Sequence, residues 1–330
     1  MKNTILILTK KGDRHITPIA EELARRNVPM VTFDVADFPE HIQIAARIDT
    51  ESDGWQGPLC LQDHTYDLAD IRSIWYRRPT PYVAPTHYIP PVRAFLALEN
   101  LRGFVGILHG PFWVSPRGAI QAAEFKPAQL QAAQAQGLSL PRTLITNDPT
   151  AVRAFFDECH GAVISKAVAR GVVDPEGHFM KDHPRFMHTS RVAREDLKDA
   201  EGVRVCAHLF QELILKAMDV RVTVIGRQVF TVGIHSHTEE SALDWRRGYG
   251  SLTYTVEKLP NEIEQKLLQV VRGFGLQYSS ADFILTPQGD YIFVELNPNG
   301  QFYFLVPPTH VPMAEAMVDL LCSPEEYRIC

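Results

Sequence analysis

Ser280-Ala-Asp-Phe-Ile-Leu-Thr-Pro-Gln-Gly-Asp-Tyr-Ile-Phe-Val-Glu-Leu-Asn-Pro-Asn-Gly300 is two apolar runs on either side of Pro287-Gln288-Gly289-Asp290. That cluster is a turn signal, so the stretch reads as a β-hairpin. A tight turn centred on Gln288-Gly289 sets Thr286 against Tyr291, Ile284 against Phe293 and Asp282 against Glu295. Residues directly opposite share a face of the sheet. Asn297, two residues past Glu295, shares it as well. Two carboxylates and an amide are thus aimed at one spot. Like charges opposed across strands repel, and apolar strands make unpaired carboxylates more costly. A hard divalent cation such as Mg²⁺, which takes one or two carboxylates plus substrate phosphates, resolves the conflict. Pairing of each acid with an Arg or Lys from elsewhere does so too. A one-residue change in the turn breaks the facing, and Asn297-Pro298-Asn299-Gly300 also reads as a simple turn.

Triphosphate chemistry needs cations around the phosphates. The sequence has no G-x-x-x-x-G-K-[ST], so they must come from elsewhere. Lys166 is the one charge in the run Val163-Ile164-Ser165-Lys166-Ala167-Val168, which suits either an anion or an edge strand guarded against pairing. Lys126 precedes Pro127 in a helical stretch and reads equally as a solvated surface residue. Phe210-Gln211-Glu212-Leu213-Ile214-Leu215 could offer backbone groups to an adenine, with Asp219 placed for ribose hydroxyls. Asp219 and Arg221 lie on one strand face, as a mutual salt bridge would also require. Trp75-Tyr76-Arg77-Arg78 and Asp244-Trp245-Arg246-Arg247 set paired arginines beside aromatics. Arginine favours bidentate grips on carboxylate or phosphate, although surface stacking on Trp gives the same pattern. His235 and His237 share a strand face, better suited to a polar substrate than to zinc, which needs further ligands.

Outward from these stretches, the first third alternates strand and helix. Thr4 to Thr9, a helix over Ile16 to Arg26 and Met30 to Phe33 open a βαβ unit and a parallel sheet, without a G-x-G-x-x-G turn. A hairpin is expected around Asp53 to Pro58 and a helix over Val92 to Leu108. Ala119 to Gln136 reads as one long helix, and residues 171–200 as a lid or loop with hairpin character. The last third is β-rich, with helices over Glu262 to Phe274 and Val311 to Leu321. The class is α/β with α+β character. At 330 residues the chain suits two or three packed units. The formal charge of −6 and the lack of a basic block argue against nucleic acid. Five scattered cysteines fit reduced thiols in a cytosol. No signal peptide and no membrane span is expected, so the expectation is a cytoplasmic protein.

Together D-F-I…V-E-L-N-P-N-G, a strand lysine, and Q-E-L-I followed by D-V-R resemble the ATP-grasp superfamily. The stretch ILILT, Asp34 to Pro39, W-Y-R-R, S-x-x-x-x-D-W-R and the ending E-L-N-P-N-G-Q are most similar to ligases that cyclise microviridin-type ribosomal peptides, the graspetides. Phe302 to Val306 departs from that pattern, which has a Trp after the Gln. The resemblance implies an ATP-grasp fold: a pre-ATP-grasp unit over 1–116, a central subdomain with a lid over 117–200, and a C-terminal subdomain over 201–330. It implies ATP and Mg²⁺ as cofactors, with Asp282, Glu295 and Asn297 as metal ligands. Lys126 and Lys166 are then expected on phosphates, Glu212, Leu213 and Leu215 at the adenine, and Asp219 at the ribose. Arg221 and Arg246 are expected at the γ-phosphate or the substrate carboxylate. The implied reaction activates Asp or Glu side chains of a precursor peptide and joins them to Thr, Ser or Lys, guided by a leader. A homodimer is implied too. A ligase for free amino acids shares every ATP residue named, and a non-catalytic peptide-binding module is the remaining alternative.

Overall fold

The computed structural model describes residues 3–61, 64–169, 171–173 and 185–330. Thr4–Thr9 pairs in parallel with Met30–Phe33 on one side and Ile71–Arg78 on the other, and Phe112–Trp113 extends the sheet. Side chains alternate across a strand. Ile5 and Ile7 therefore pack with Ile16, Ile19 and Leu23 of the helix Ile16–Arg25, while Leu6 and Leu8 pack with Phe104 of the helix Pro90–Ile107. Covering on both faces is why this parallel strand is a continuous apolar run. The expected hairpin forms between Ile42–Ile44 and Pro58–Leu61, and His64–Asp67 adds a third strand that the pattern had not suggested.

The long helix expected over Ala119 to Gln136 is two helices, Arg117–Ala123 and Lys126–Ala135. Pro127 disfavours helical geometry in the residue before it and suits the first turn of a new helix. The break leaves Lys126 at the head of the second helix. Both helices pack on the C-terminal sheet, through Ile120, Ala123 and Ala133.

Val163–Lys166 lies between Ser190–Arg191 and His208–Glu212 in a small antiparallel sheet, with Thr143–Thr146 at the far edge. Lys166 is therefore not on an edge strand. The helix Pro149–Glu158, capped by the Asp148 carboxylate accepting from the Thr150 amide at 2.8 Å, covers this sheet with Val152, Phe155 and Phe156. Of the expected lid, Val172–Val173 pairs antiparallel with Arg185–Phe186, while residues 170 and 174–184 lie outside the described residues.

The C-terminal sheet is antiparallel, in the order Thr253–Glu257, Gln228–His235, Met218–Ile225, Tyr278–Leu285, Tyr291–Asn297. One face, with Val220, Val222, Val224, Ala281 and Phe283, packs on the helix Asn261–Gly273. The opposite face carries Arg221, Thr223, Ser280 and Asp282 and is closed at one end by Val232, Phe302 and the helix Met313–Cys322. The strand ends at His235, so His237 lies beyond it.

The hairpin register corrects the sequence reading in an instructive way. Leu285, not Thr286, faces Tyr291, and Phe283 faces Phe293, one residue off the expected count. A bulge then intervenes, and Asp282 faces Glu295 after all. An extra residue in one strand, Val294, returns Glu295 to the face that the shifted turn would have denied it.

Candidate active site

Arg221 lies directly across from Asp282 on the neighbouring strand, and its Nη1 donates to both carboxylate oxygens at 2.7 and 2.8 Å. Asn297 Nδ2 donates to Asp282 Oδ2 at 2.9 Å and to Glu295 Oε1 at 3.3 Å, so the amide stands between the two acids. Lys126 Nζ lies 3.2 Å from Glu295 Oε2 and donates to the carbonyl of Ala167 at 2.9 Å. It thereby links the C-terminal sheet to the end of the strand that carries Lys166. Both ways of relieving the opposed acids are thus built in together: the acids converge, and each also has a cation.

Burial raises the pKa of Asp282 against the pull of Arg221, and neighbouring Glu295 adds to the rise. Burial acts the same way on Glu295, but Lys126, Lys166 and Arg246 together hold it well below the usual carboxylate range. Lys166 is lowered to about 8 by burial and by Lys126, with Glu295 opposing. One carboxylate is therefore firmly ionised amid three cations. Asp219, raised to about 6 by burial, pairs with Lys216 at 2.6 Å rather than with Arg221. Arg246 is gripped by Asp244, through Nε at 2.8 Å and Nη2 at 2.9 Å, and the pair raises its pKa. Trp245 stacks on Phe304 at 5.5 Å, not on an arginine.

Glu212 lies 3.7 Å from Arg142, and the Leu213 amide already donates to Ala162. Leu213 is therefore not free to offer its N–H to an adenine, as the sequence reading of backbone groups there had allowed. Leu215 is 75% exposed. Lys126, read as a possible surface residue, is only 19% exposed. His235 and His237 each contact a threonine of the adjacent segment, Thr255 and Thr253, at 2.9 Å. Among the described residues no group of three or more His, Cys, Asp and Glu side chains could hold a metal. The converging donors are two carboxylates and an amide. A hard cation that completes its shell with phosphate oxygens and water fits that set.

Sequence reasoning missed Gln129, and it read Arg77 only as one of a pair for gripping carboxylate or phosphate or for stacking on Trp, not as a residue that holds a loop. Gln129 is buried in the second helix; its Nε2 donates to the Leu296 carbonyl at 2.7 Å, and its Oε1 accepts from the Leu296 amide at 2.9 Å. It pins the strand between Glu295 and Asn297. Nothing distinguishes it in a helix full of Ala and Gln. Arg77 is fully buried over Trp75, where surface stacking had been one reading. Arg72, Ser73 and Arg78 stand in the same strand, so nothing in its pattern singled Arg77 out.

An antiparallel sheet presenting opposed acids to a helix-borne Lys126 and to Lys166 of a second small sheet, in a chain that opens with a parallel unit, is the arrangement of ATP-grasp ligases. A family model described as MvdD pre-ATP grasp domain matches residues 4–94. Macrocyclase MdnB from Microcystis aeruginosa is 30% identical over 97% of this chain and 99% of that one, with a TM-score of 0.77. Macrocyclase MdnC from the same organism, bound with precursor peptide MdnA, is 28% identical over 97% and 99%, with a TM-score of 0.82. A Chryseobacterium gregarium RiPP-associated ATP-grasp ligase, in complex with ADP and a leader and core peptide, shares the fold at a TM-score of 0.86 and 24% identity over 98% and 97%. No curated protein matches. The chain belongs to the ATP-grasp macrocyclases of the graspetide type and is an ATP-dependent ligase.

Proposed function

We propose that this enzyme activates Asp or Glu side chains of a ribosomal precursor peptide at the expense of ATP and joins them to Thr, Ser or Lys side chains of the same peptide. The observation that carries this reading is the meeting of Asp282, Glu295 and Asn297 with Lys126 and Arg221 on one polar sheet face. In the first step a substrate carboxylate oxygen takes the γ-phosphoryl group and ADP leaves. In the second, a hydroxyl or amine attacks the acyl carbon, phosphate leaves and the nucleophile gives up its proton. Mg²⁺, held by Asp282, Glu295 and Asn297, supplies charge neutralisation at the phosphates. Lys126 and Lys166 hold phosphate oxygens, Asp219 takes the ribose, and Glu212, Leu213 and Leu215 flank the adenine. Arg246 brings the substrate carboxylate up to the γ-phosphate, where two anions must be held together. Arg221 keeps Asp282 ionised and oriented beside it. The test is mass spectrometry of the enzyme with the acidic, Thr-rich precursor expected to be encoded beside it. Loss of one water per bond supports the reading, and an unmodified peptide with ATP still consumed rejects it.

The enzyme is proposed to act as a homodimer in the cytoplasm. The helix Pro90–Ile107 exposes Val92, Phe95 and Leu98, with Glu99 and Arg102 on the same stripe. A two-fold copy of that stripe would cover these apolar side chains, as an isologous interface does. All five cysteines are free, and among the described residues no helix is long and apolar enough to cross a membrane.

A further inference from the structure

The loop that follows Asn297 is held by its carbonyls. Arg77 Nη1 donates to the Asn299 carbonyl at 2.6 Å. The Tyr278 hydroxyl donates to the Gly300 carbonyl at 2.6 Å. Arg221 Nη2 reaches the Gln301 carbonyl at 3.3 Å. Three successive carbonyls are thus met by three side chains from three strands. The next turn is held from outside as well, since the Tyr303 amide donates to His15 Nδ1 at 3.2 Å. Within the loop, the Gly300 amide closes a turn onto the Asn297 carbonyl at 3.0 Å. Gly300 sits so close to its neighbours that an added Cβ would lie 2.5 Å from Ser280 Cβ and 2.9 Å from Arg221 Nη2.

Arg77 is the member of this set that comes from the N-terminal sheet. Strand alternation puts Arg77 on the side of Trp75, and a register shift lies beside it, since Leu8 faces Tyr76 and Thr9 faces Arg78. Arg77 is fully buried there, with Asp13 at 3.8 Å as its counter-charge. A buried arginine on a backbone carbonyl is an expensive way to hold a loop. It is spent here on the residues next to a proposed metal ligand.

We propose that Arg77 is a positioning residue that fixes the Asn297–Gln301 loop, so that the N-terminal unit sets the geometry of the metal-binding amide. This rests on the assignment of Asn297 above. It requires that loosening Arg77 be felt in the loop even without nucleotide, and then in binding of the metal-bound nucleotide more than of nucleotide alone. Arg72 provides the control. It lies on the same strand, and its Nη1 donates to a backbone carbonyl at the same 2.6 Å, but to Cys322, in the C-terminal helix rather than the loop.

The experiment uses the full chain in two arms. In the nucleotide-free protein, amide exchange of the segment spanning residues 297–303 is measured for Arg77→Met, Tyr278→Phe and Arg72→Ala. By titration calorimetry, the affinity for ADP is measured with and without Mg²⁺. A charge-assisted hydrogen bond corresponds to roughly tenfold or more. Arg77→Met is expected to speed exchange and to weaken Mg²⁺–ADP about tenfold while leaving metal-free ADP unchanged. Tyr278→Phe, which acts on the adjacent carbonyl without removing a charge, is expected to repeat the pattern more weakly. Arg77→Lys is expected to restore part of both. Parental exchange and affinities in Arg77→Met and Tyr278→Phe overturn the proposal, as does an equal change in Arg72→Ala. If the parent binds no nucleotide, the functional reading fails, and the exchange arm still decides whether Arg77 holds the loop.

Discussion

At the residue scale, the two acids of the hairpin have distinct duties. Glu295 sits among Lys126, Lys166 and Arg246, which hold its pKa down, whereas burial pushes Asp282 up against the pull of Arg221. Glu295→Gln is expected to abolish Mg²⁺-dependent ADP release in a folded protein; turnover near the parental rate at ordinary Mg²⁺ rejects it as a ligand. Lys166→Met is expected to lose about 2 kcal/mol of ATP affinity, roughly thirtyfold. Its pKa, lowered to about 8, gives a second readout. Nucleotide binding to the parent is expected to weaken as pH rises through about 8, because the ammonium is lost, and this arm is expected to be missing in Lys166→Met. The sign for folding is opposite. A lysine whose folded pKa is depressed carries its full cost below about 8, and that cost fades as pH rises to its ordinary 10.5, so stability increases with pH across that window. Sequence alone suggested that Arg221→Ala and Arg246→Ala would test the acyl-donor site equally. The carboxylate that each one holds separates them. Removing Arg221 leaves the proposed metal ligand Asp282 without its cation, at a cost of about 3–5 kcal/mol, whereas removing Arg246 strands Asp244, outside the proposed ligand set, so Arg246→Ala, with its folding checked by denaturant unfolding, is the cleaner probe of the donor site. It is expected to bind ATP normally and to leave the precursor unmodified, as judged by nucleotide titration beside mass analysis.

At the element scale, the hairpin shows what was legible and what was not. Alternating apolar residues and the Pro287–Asp290 cluster located both strands, and the opposed acids could be seen in the letters. The count from the turn was nevertheless off by one, and only the bulge at Val294 rescued the facing. A bulge without glycine leaves no mark in a run of β-branched and aromatic residues, so sequence periodicity had no means of finding it. The helix break before Lys126 was legible, because Pro127 stands in the sequence, yet a run of Ala and Gln on both sides hid it. The same elements explain why Gly300 is glycine. Gly300→Ala is expected to destabilise the fold by about 1–3 kcal/mol through overpacking against Ser280 and to reduce Mg²⁺–ADP affinity as well. Denaturant unfolding and calorimetry check the two effects separately.

At the scale of the whole molecule, one core spans sequence segments far apart. Ile5, Ile7 and Trp75 of the N-terminal sheet pack with Val232, Tyr278 and the helix Met313–Cys322. The central sheet keeps its own smaller core around Phe155, Phe156 and Phe210. The exposed stripe of the helix Pro90–Ile107 is the largest-scale feature that sequence periodicity did not predict, because that helix is nearly uniform in hydrophobicity and only Phe104 is buried. Phe95→Glu is expected to convert the proposed dimer to a monomer in sedimentation, with unfolding unchanged.

The pairing of Lys126 with Glu295 has a thermodynamic consequence. With no nucleotide bound, Lys126 and Arg221 are already paired with Glu295 and Asp282, so much of the positive charge of this face is neutralised before an anion arrives. On the proposed assignment a metal–triphosphate pair would enter the pocket by exchange, with Lys126 turning from carboxylate to phosphate and Glu295 from ammonium to metal. Few loosely held ions are displaced in such a swap, and little net charge is neutralised. Affinity for Mg²⁺–ADP is therefore expected to change only slightly with ionic strength, whereas Glu295→Gln, which leaves the lysines uncompensated, is expected to bind metal-free ADP with a steep dependence on salt.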